Sequence, residues 1–102
     1  MAKEIILYNL ADNVTDDQYK DFVSKVKGPL LGSLPSVEKF ELVKITGSET
    51  GEVPYRYIGI VHVNSLDEYR QKGKTTQKFQ DLMAKLQPML KVTHILYGEE
   101  IY

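Results

Sequence analysis

A chain of 102 residues with 42% hydrophobic content has the material for one compact core burying roughly two thirds of its surface, and for a single domain over residues 1–102. Thirteen basic against fourteen acidic residues leave a net charge of −1, so no global field draws in phosphate backbones or anionic lipid. The absence of cysteine excludes disulfides, thiol nucleophiles and thiolate metal sites together.

The opening MAKEIILYNL lacks the long apolar run and small-residue cleavage site of a signal peptide, and no apolar stretch approaches the ~20 residues that span a bilayer. A cytoplasmic protein with no membrane partner is expected. Within that opening, Ile5-Ile6-Leu7-Tyr8 reads as a short apolar strand. Thr15-Asp16-Asp17-Gln18 follows as a capping box, with Val14 placed to staple onto Tyr19 and the two aspartates suited to the positive end of a helix. Tyr19, Phe22, Val23 and Val26 recur at i, i+3, i+4 and i+7, one apolar stripe, and Gly28-Pro29 is expected to stop the helix.

Val37–Ile45 and Tyr55–Val63 read as two strands joined across the polar, glycine-bounded loop Gly47–Glu52. Ser65-Leu66-Asp67-Glu68 is a second capping box. Its helix begins a buried face with Leu66 and Tyr69, is weakened at Gly73, and restarts at Thr75-Thr76, so a break near Lys72–Lys74 is expected. Phe79, Leu82, Met83 and Leu86 resume the stripe, which Pro88 ends, and Lys72, Lys74, Lys78 and Lys85 read as its solvated face. Leu90–Tyr97 is the last strand.

The order is therefore βαββαβ, the ferredoxin-like α+β arrangement: a four-stranded antiparallel sheet with two helices on one face. The first and last strands are apolar on both parities, as strands covered on two faces are. Helices cover only one face, and an apolar sheet of several hundred Å² does not normally stay in water. A second copy of the same sheet is the expected cover, giving a homodimeric α/β barrel with a cavity between the sheets.

Strand parity places Arg56, Ile58, Ile60 and His62 on one side of the third strand. Asn9-Leu10 after the first strand, and Arg56–Val63, resemble the two short motifs of RNA-recognition domains. That likeness puts Glu4, Ile6 and Tyr8 on the same helix-free face. The base-stacking aromatics of those domains stand where this chain has Ile6, Ile58 and Ile60, so no nucleic-acid partner is expected. The face so composed, an apolar floor with Tyr8, Arg56, Ile58 and Ile60 as substrate-binding candidates, suits a small apolar or aromatic ligand. His62 and His94 are the catalytic candidates, since imidazole can move a proton next to a carbonyl near neutral pH while Arg56 holds an enolate or carboxylate. The parity of His94 stays open. Two histidines without HxH or HxxxH spacing give no metal site, and no cofactor is expected.

Leu34-Pro35-Ser36-Val37 with Phe40, then Val53-Pro54-Tyr55-Arg56-Tyr57, and the ending Gly98-Glu99-Glu100-Ile101 resemble the RedY-like family of small dimeric α/β-barrel proteins over nearly the whole chain. The family pattern carries acidic residues where this chain has Arg56 and Gly59. The resemblance implies small-molecule binding and cofactor-independent cyclase or isomerase chemistry on aromatic, pyrrole- or indole-type carbonyl compounds of secondary metabolism. The alternative is a non-catalytic interaction module that docks another protein on its helix-free face.

Overall fold

The computed structural model describes residues 1 to 102, the side chain of Val92 excepted. Strands Ala2–Leu10 (β1), Val37–Lys44 (β2), Tyr57–Val63 (β3) and Leu90–Glu99 (β4) form one antiparallel sheet in the order β2-β3-β1-β4. Helical segments follow β1 and β3, which completes the ferredoxin-like βαββαβ order anticipated from the sequence. Among the described residues no helix is long and apolar enough to cross a membrane.

The first helical segment opens as expected. Thr15 accepts from the Gln18 N–H at 3.1 Å while the Gln18 side chain accepts from the Thr15 N–H at 2.9 Å, and Val14 packs into the cluster around Tyr19. It does not stop at Gly28-Pro29. Asp16–Phe22 (α1) runs into a π turn over Val23–Lys27 and continues as Gly28–Gly32 (α2). Proline has no N–H to contribute, and it sits here in the first turn of α2, where none is required. The π turn closes with Gly28 N–H donating to the Val23 carbonyl, so tightly that a Cβ on Gly28 would lie 2.9 Å from that oxygen.

The second segment breaks where the sequence indicates. Leu66–Glu68 (α3), capped by Ser65, leads into a π turn over Tyr69–Gly73, and Thr76 caps a new helix, Gln77–Leu86 (α4). Ser36, at φ 72°, ties the two halves together: its hydroxyl accepts from Ser65 N–H at 2.6 Å and donates to Ser65 O at 3.0 Å.

Register fixes the faces. Glu4 pairs with Val61, Ile6 with Gly59 and Tyr8 with Tyr57, and paired residues share a face. Val61 and Val63 are buried with Leu31, Leu34, Tyr69 and Leu82, whereas Tyr8 and Tyr57 are buried with Tyr19 and Leu86. Glu4, Ile6 and Tyr8 therefore lie beneath the helices, opposite to the face expected from the sequence. The helix-free face instead carries Lys3, Ile5 and Leu7 from β1 beside Ile58, Ile60 and His62 from β3. Glu41 and Val43 flank it on β2, with His94 and Leu96 on β4, which settles the parity of His94.

Candidate functional site

A cavity of about 280 Å³ lies between the sheet and the helices. Its floor is Glu4 and Ile6 of β1, Val61 of β3, and Leu90, Thr93 and Ile95 of β4. Its walls come from both π turns and from α4. Lys27 ends the first π turn, Tyr69 opens the second with Lys74 just beyond it, and Phe79, Met83 and Leu86 close the side.

The π turns explain how these polar residues reach the core. A helix with i→i+4 bonds takes 3.6 residues per turn, and i→i+5 bonds take more than four, so one turn of each spans about eight residues. Lys27 is eight residues after Tyr19 and lands on the same face, where its ammonium donates to the Tyr19 hydroxyl at 2.8 Å. In the second turn Lys74 N–H reaches back to the Tyr69 carbonyl at 2.9 Å, which brings both side chains to one spot. There they hold the same carboxylate. Tyr69 donates to Glu4 Oε1 at 3.2 Å, and Lys74 Nζ forms a hydrogen-bonded ion pair with Oε2.

Glu4 is only 2% exposed, and so is Lys27. Their settings differ. Glu4 has two donors, one of them charged. No ion pair reaches Lys27 among the described residues, and its neighbours are ring faces of Phe40, Tyr8 and Tyr19 at 5.1, 5.2 and 5.4 Å. Burial pulls the Lys27 ammonium down to about 8, against a partial lift from the Glu4 charge. Burial also pushes the Tyr19 phenol up to about 12, and that of Tyr8, 2.5 Å from it, higher still. The Tyr69 phenol is raised by burial and then by Glu4, so all three remain protonated near neutral pH.

None of the candidate site residues taken from the sequence, Tyr8, Arg56, Ile58, Ile60, His62 and His94, is among those lining this cavity. Tyr8 is in the core behind Lys27. Arg56 precedes β3 and is exposed, its backbone N–H bound to Asn9 Oδ1 at 2.7 Å and its guanidinium to Ile45 O at 3.5 Å. Ile58, Ile60 and His62 are on the helix-free face as parity indicated. His62 is covered there by Glu41, whose Oε1 it contacts through Nε2. His94 is exposed and meets Tyr55 edge-on at 5.5 Å. The histidines are not brought together, since β1 runs between them, with His62 opposite Lys3 and His94 opposite Leu7. Lys74, read as part of a solvated helix face, is instead the counterion of Glu4. Gly59 sits beneath the helices, where a Cβ would lie 3.5 Å from the Phe40 ring and 3.8 Å from that of Tyr8.

Glu4 could have been found from the sequence. A carboxylate at the parity of Ile6 and Tyr8, in a strand apolar on both sides, faces a covered surface whichever face is which. Lys27 carried no comparable signal, because its position depends on a π turn that no periodicity announces.

A family model described as REDY-like protein HapK matches residues 2–101. The chain belongs to the REDY-like HapK family. Membership fits the architecture: HapK from Hahella chejuensis superposes with a TM-score of 0.82 at 24% identity, covering 99% of this chain and 93% of that one. A dimeric ferredoxin-like protein of unknown function from Thermobifida fusca shares the ferredoxin-like fold with a TM-score of 0.74 at 18% identity, over 97% and 90% of the two chains. The hydroxynitrile lyase of Passiflora edulis does so at 0.80 and 10% identity, over 99% and 95%. No curated protein matches the sequence.

Proposed function

We propose that this REDY-like protein binds a small aromatic carbonyl compound in the cavity beneath its helices and moves a proton on it without a cofactor, as an isomerase or cyclase. One observation carries the reading: a buried carboxylate, Glu4, stands in the floor of an otherwise largely apolar cavity near the lower end of small-molecule sites. A volume of 280 Å³ equals roughly nine water molecules, enough for one or two fused rings.

Glu4 accepts the proton from the carbon next to the carbonyl, and the electron pair of the broken C–H bond passes to the carbonyl oxygen as an enolate. Glu4 then returns the proton at another carbon, or the enolate carbon closes a ring on an electrophile within the same molecule. Tyr69 and Lys74 fix the carboxylate's orientation. Support comes from the family, and from a fold shared with an enzyme described as a hydroxynitrile lyase.

The helix-free face has a separate role in this proposal. Leu96 is 50% exposed and Val43 43%, beside Ile5, Leu7, Ile58 and Ile60, and a second copy of the chain covers this surface. A likeness to a protein described as dimeric supports that assembly.

Deuterium exchange into 2-acetylpyrrole and 3-acetylindole, followed by NMR in heavy water, tests the catalytic step. The protein should accelerate exchange at the methyl group next to the carbonyl, Glu4→Gln should abolish the acceleration while leaving binding intact, and His62→Ala should change neither. Undiminished exchange by Glu4→Gln would remove Glu4 from the mechanism.

A further inference from the structure

Charge around the cavity does not balance. Two ammonium groups, Lys27 and Lys74, face one carboxylate, Glu4, and that carboxylate is already bound by Lys74 and Tyr69. Lys27 is left over. Its three N–H donors have one hydrogen-bond acceptor between them among the described residues, the Tyr19 hydroxyl. The other groups packed around it are the Tyr8 ring from β1 and the Phe40 ring from β2, neither of which neutralises a cation.

A buried charge of this kind is costly unless something pairs with it. The ring faces offset part of that cost, and an anion in the cavity would offset the rest. We infer that the natural ligand is a monoanion, an aromatic carboxylate or a stabilised enolate, whose charged oxygen is held by Lys27. This rests on the cavity being the ligand site and adds the ligand's charge to that reading. Selectivity then follows from pairing: an anion gains a charge-assisted bond, whereas an isosteric neutral amide leaves the ammonium without a counterion. Binding the anion also draws a proton onto Lys27, which near pH 8 is only partly protonated. The phenols of Tyr8 and Tyr19 stay protonated at that pH, so they contribute no exchange.

Calorimetric titration of indole-2-carboxylate and indole-2-carboxamide into the protein and into Lys27→Met separates the outcomes. The unbranched thioether of methionine fits the ring-lined slot and should keep the fold. The acid should bind the parent protein at least ~10-fold tighter than the amide, and Lys27→Met should remove that preference. Titrations near pH 8, in two buffers of different ionisation enthalpy, should show fractional proton uptake with the acid, none with the amide, and none in Lys27→Met. Equal binding of acid and amide, or a preference that survives in Lys27→Met, overturns the anion assignment while the cavity stands as the binding site. Failure of both compounds to bind at millimolar concentration overturns the two together.

Discussion

Replacing Lys27 by methionine removes an ammonium that the folded protein holds with one phenol and three ring faces. Its acidity sets the sign of the pH effect. The unfolded chain keeps the proton up to the ordinary 10.5 while the folded protein releases it above about 8, so the unfolded state binds more protons in that window. Stability should therefore rise with pH from about 8, until the tyrosines titrate in the unfolded chain near 10 and reverse the trend. Thermal melts across this range should show the rise in the parent and a flat profile in Lys27→Met. At neutral pH that variant should be more stable by ~1–3 kcal/mol, because an uncompensated buried charge has gone. Glu4→Gln has the opposite sign. It leaves Lys74 without its partner and weakens the bond from Tyr69, at a cost of ~1–3 kcal/mol readable in urea titrations.

At the scale of elements, the signals with a chemical mechanism were legible. The capping box at Thr15, the cap at Thr76 and the weak point before Lys74 each rest on a side chain that satisfies or fails to satisfy backbone groups, and each is where the sequence put it. At Ser65 only half of the expected box forms, because the Ser65 N–H is taken by the Ser36 hydroxyl instead of the Glu68 side chain. Gly28-Pro29 misled, because a helix-breaking pair is also what a π turn followed by a new helical start requires. The glycine admits the close Val23 carbonyl, and the proline needs no N–H in the next turn. Gly28→Ala should accordingly destabilise the protein, although alanine is favoured in helices by ~1 kcal/mol. Relieving the 2.9 Å contact must shift the π turn, and with it Lys27. We expect a lowered urea midpoint and a loss of ~1–2 kcal/mol. A stabilised variant would mean that the turn is not under this constraint.

For the whole molecule, the fold was readable from element order, but the face of β1 was not. Ile5-Ile6-Leu7-Tyr8 is apolar at both parities because both sides of this central strand are covered or half-covered, so hydrophobicity alone cannot tell one face from the other. Register could, once Tyr8 was seen opposite Tyr57. The consequence is two distinct surfaces, a cavity under the helices and an apolar sheet face, to which the proposal gives a ligand and a second copy respectively. Sedimentation at micromolar concentration should give twice the 11.7 kDa chain mass, and charging the sheet with Ile60→Lys should return it to one. A parent that sediments as a single chain would leave that face to some other protein.

The division of labour between the two faces is tested most directly by methyl NMR during titration with indole-2-carboxylate or 3-acetylindole. Both faces carry methyl reporters: Leu31, Val61, Leu86, Leu90 and Ile95 around the cavity, and Ile5, Leu7, Val43, Ile58 and Ile60 on the helix-free sheet. The largest shifts should fall on the first set and saturate with ligand, while the second set moves little. Shifts concentrated at Ile58, Ile60 and Leu7, with Leu31, Leu86 and Ile95 unmoved, would place the ligand on the sheet and contradict the assignment of the site.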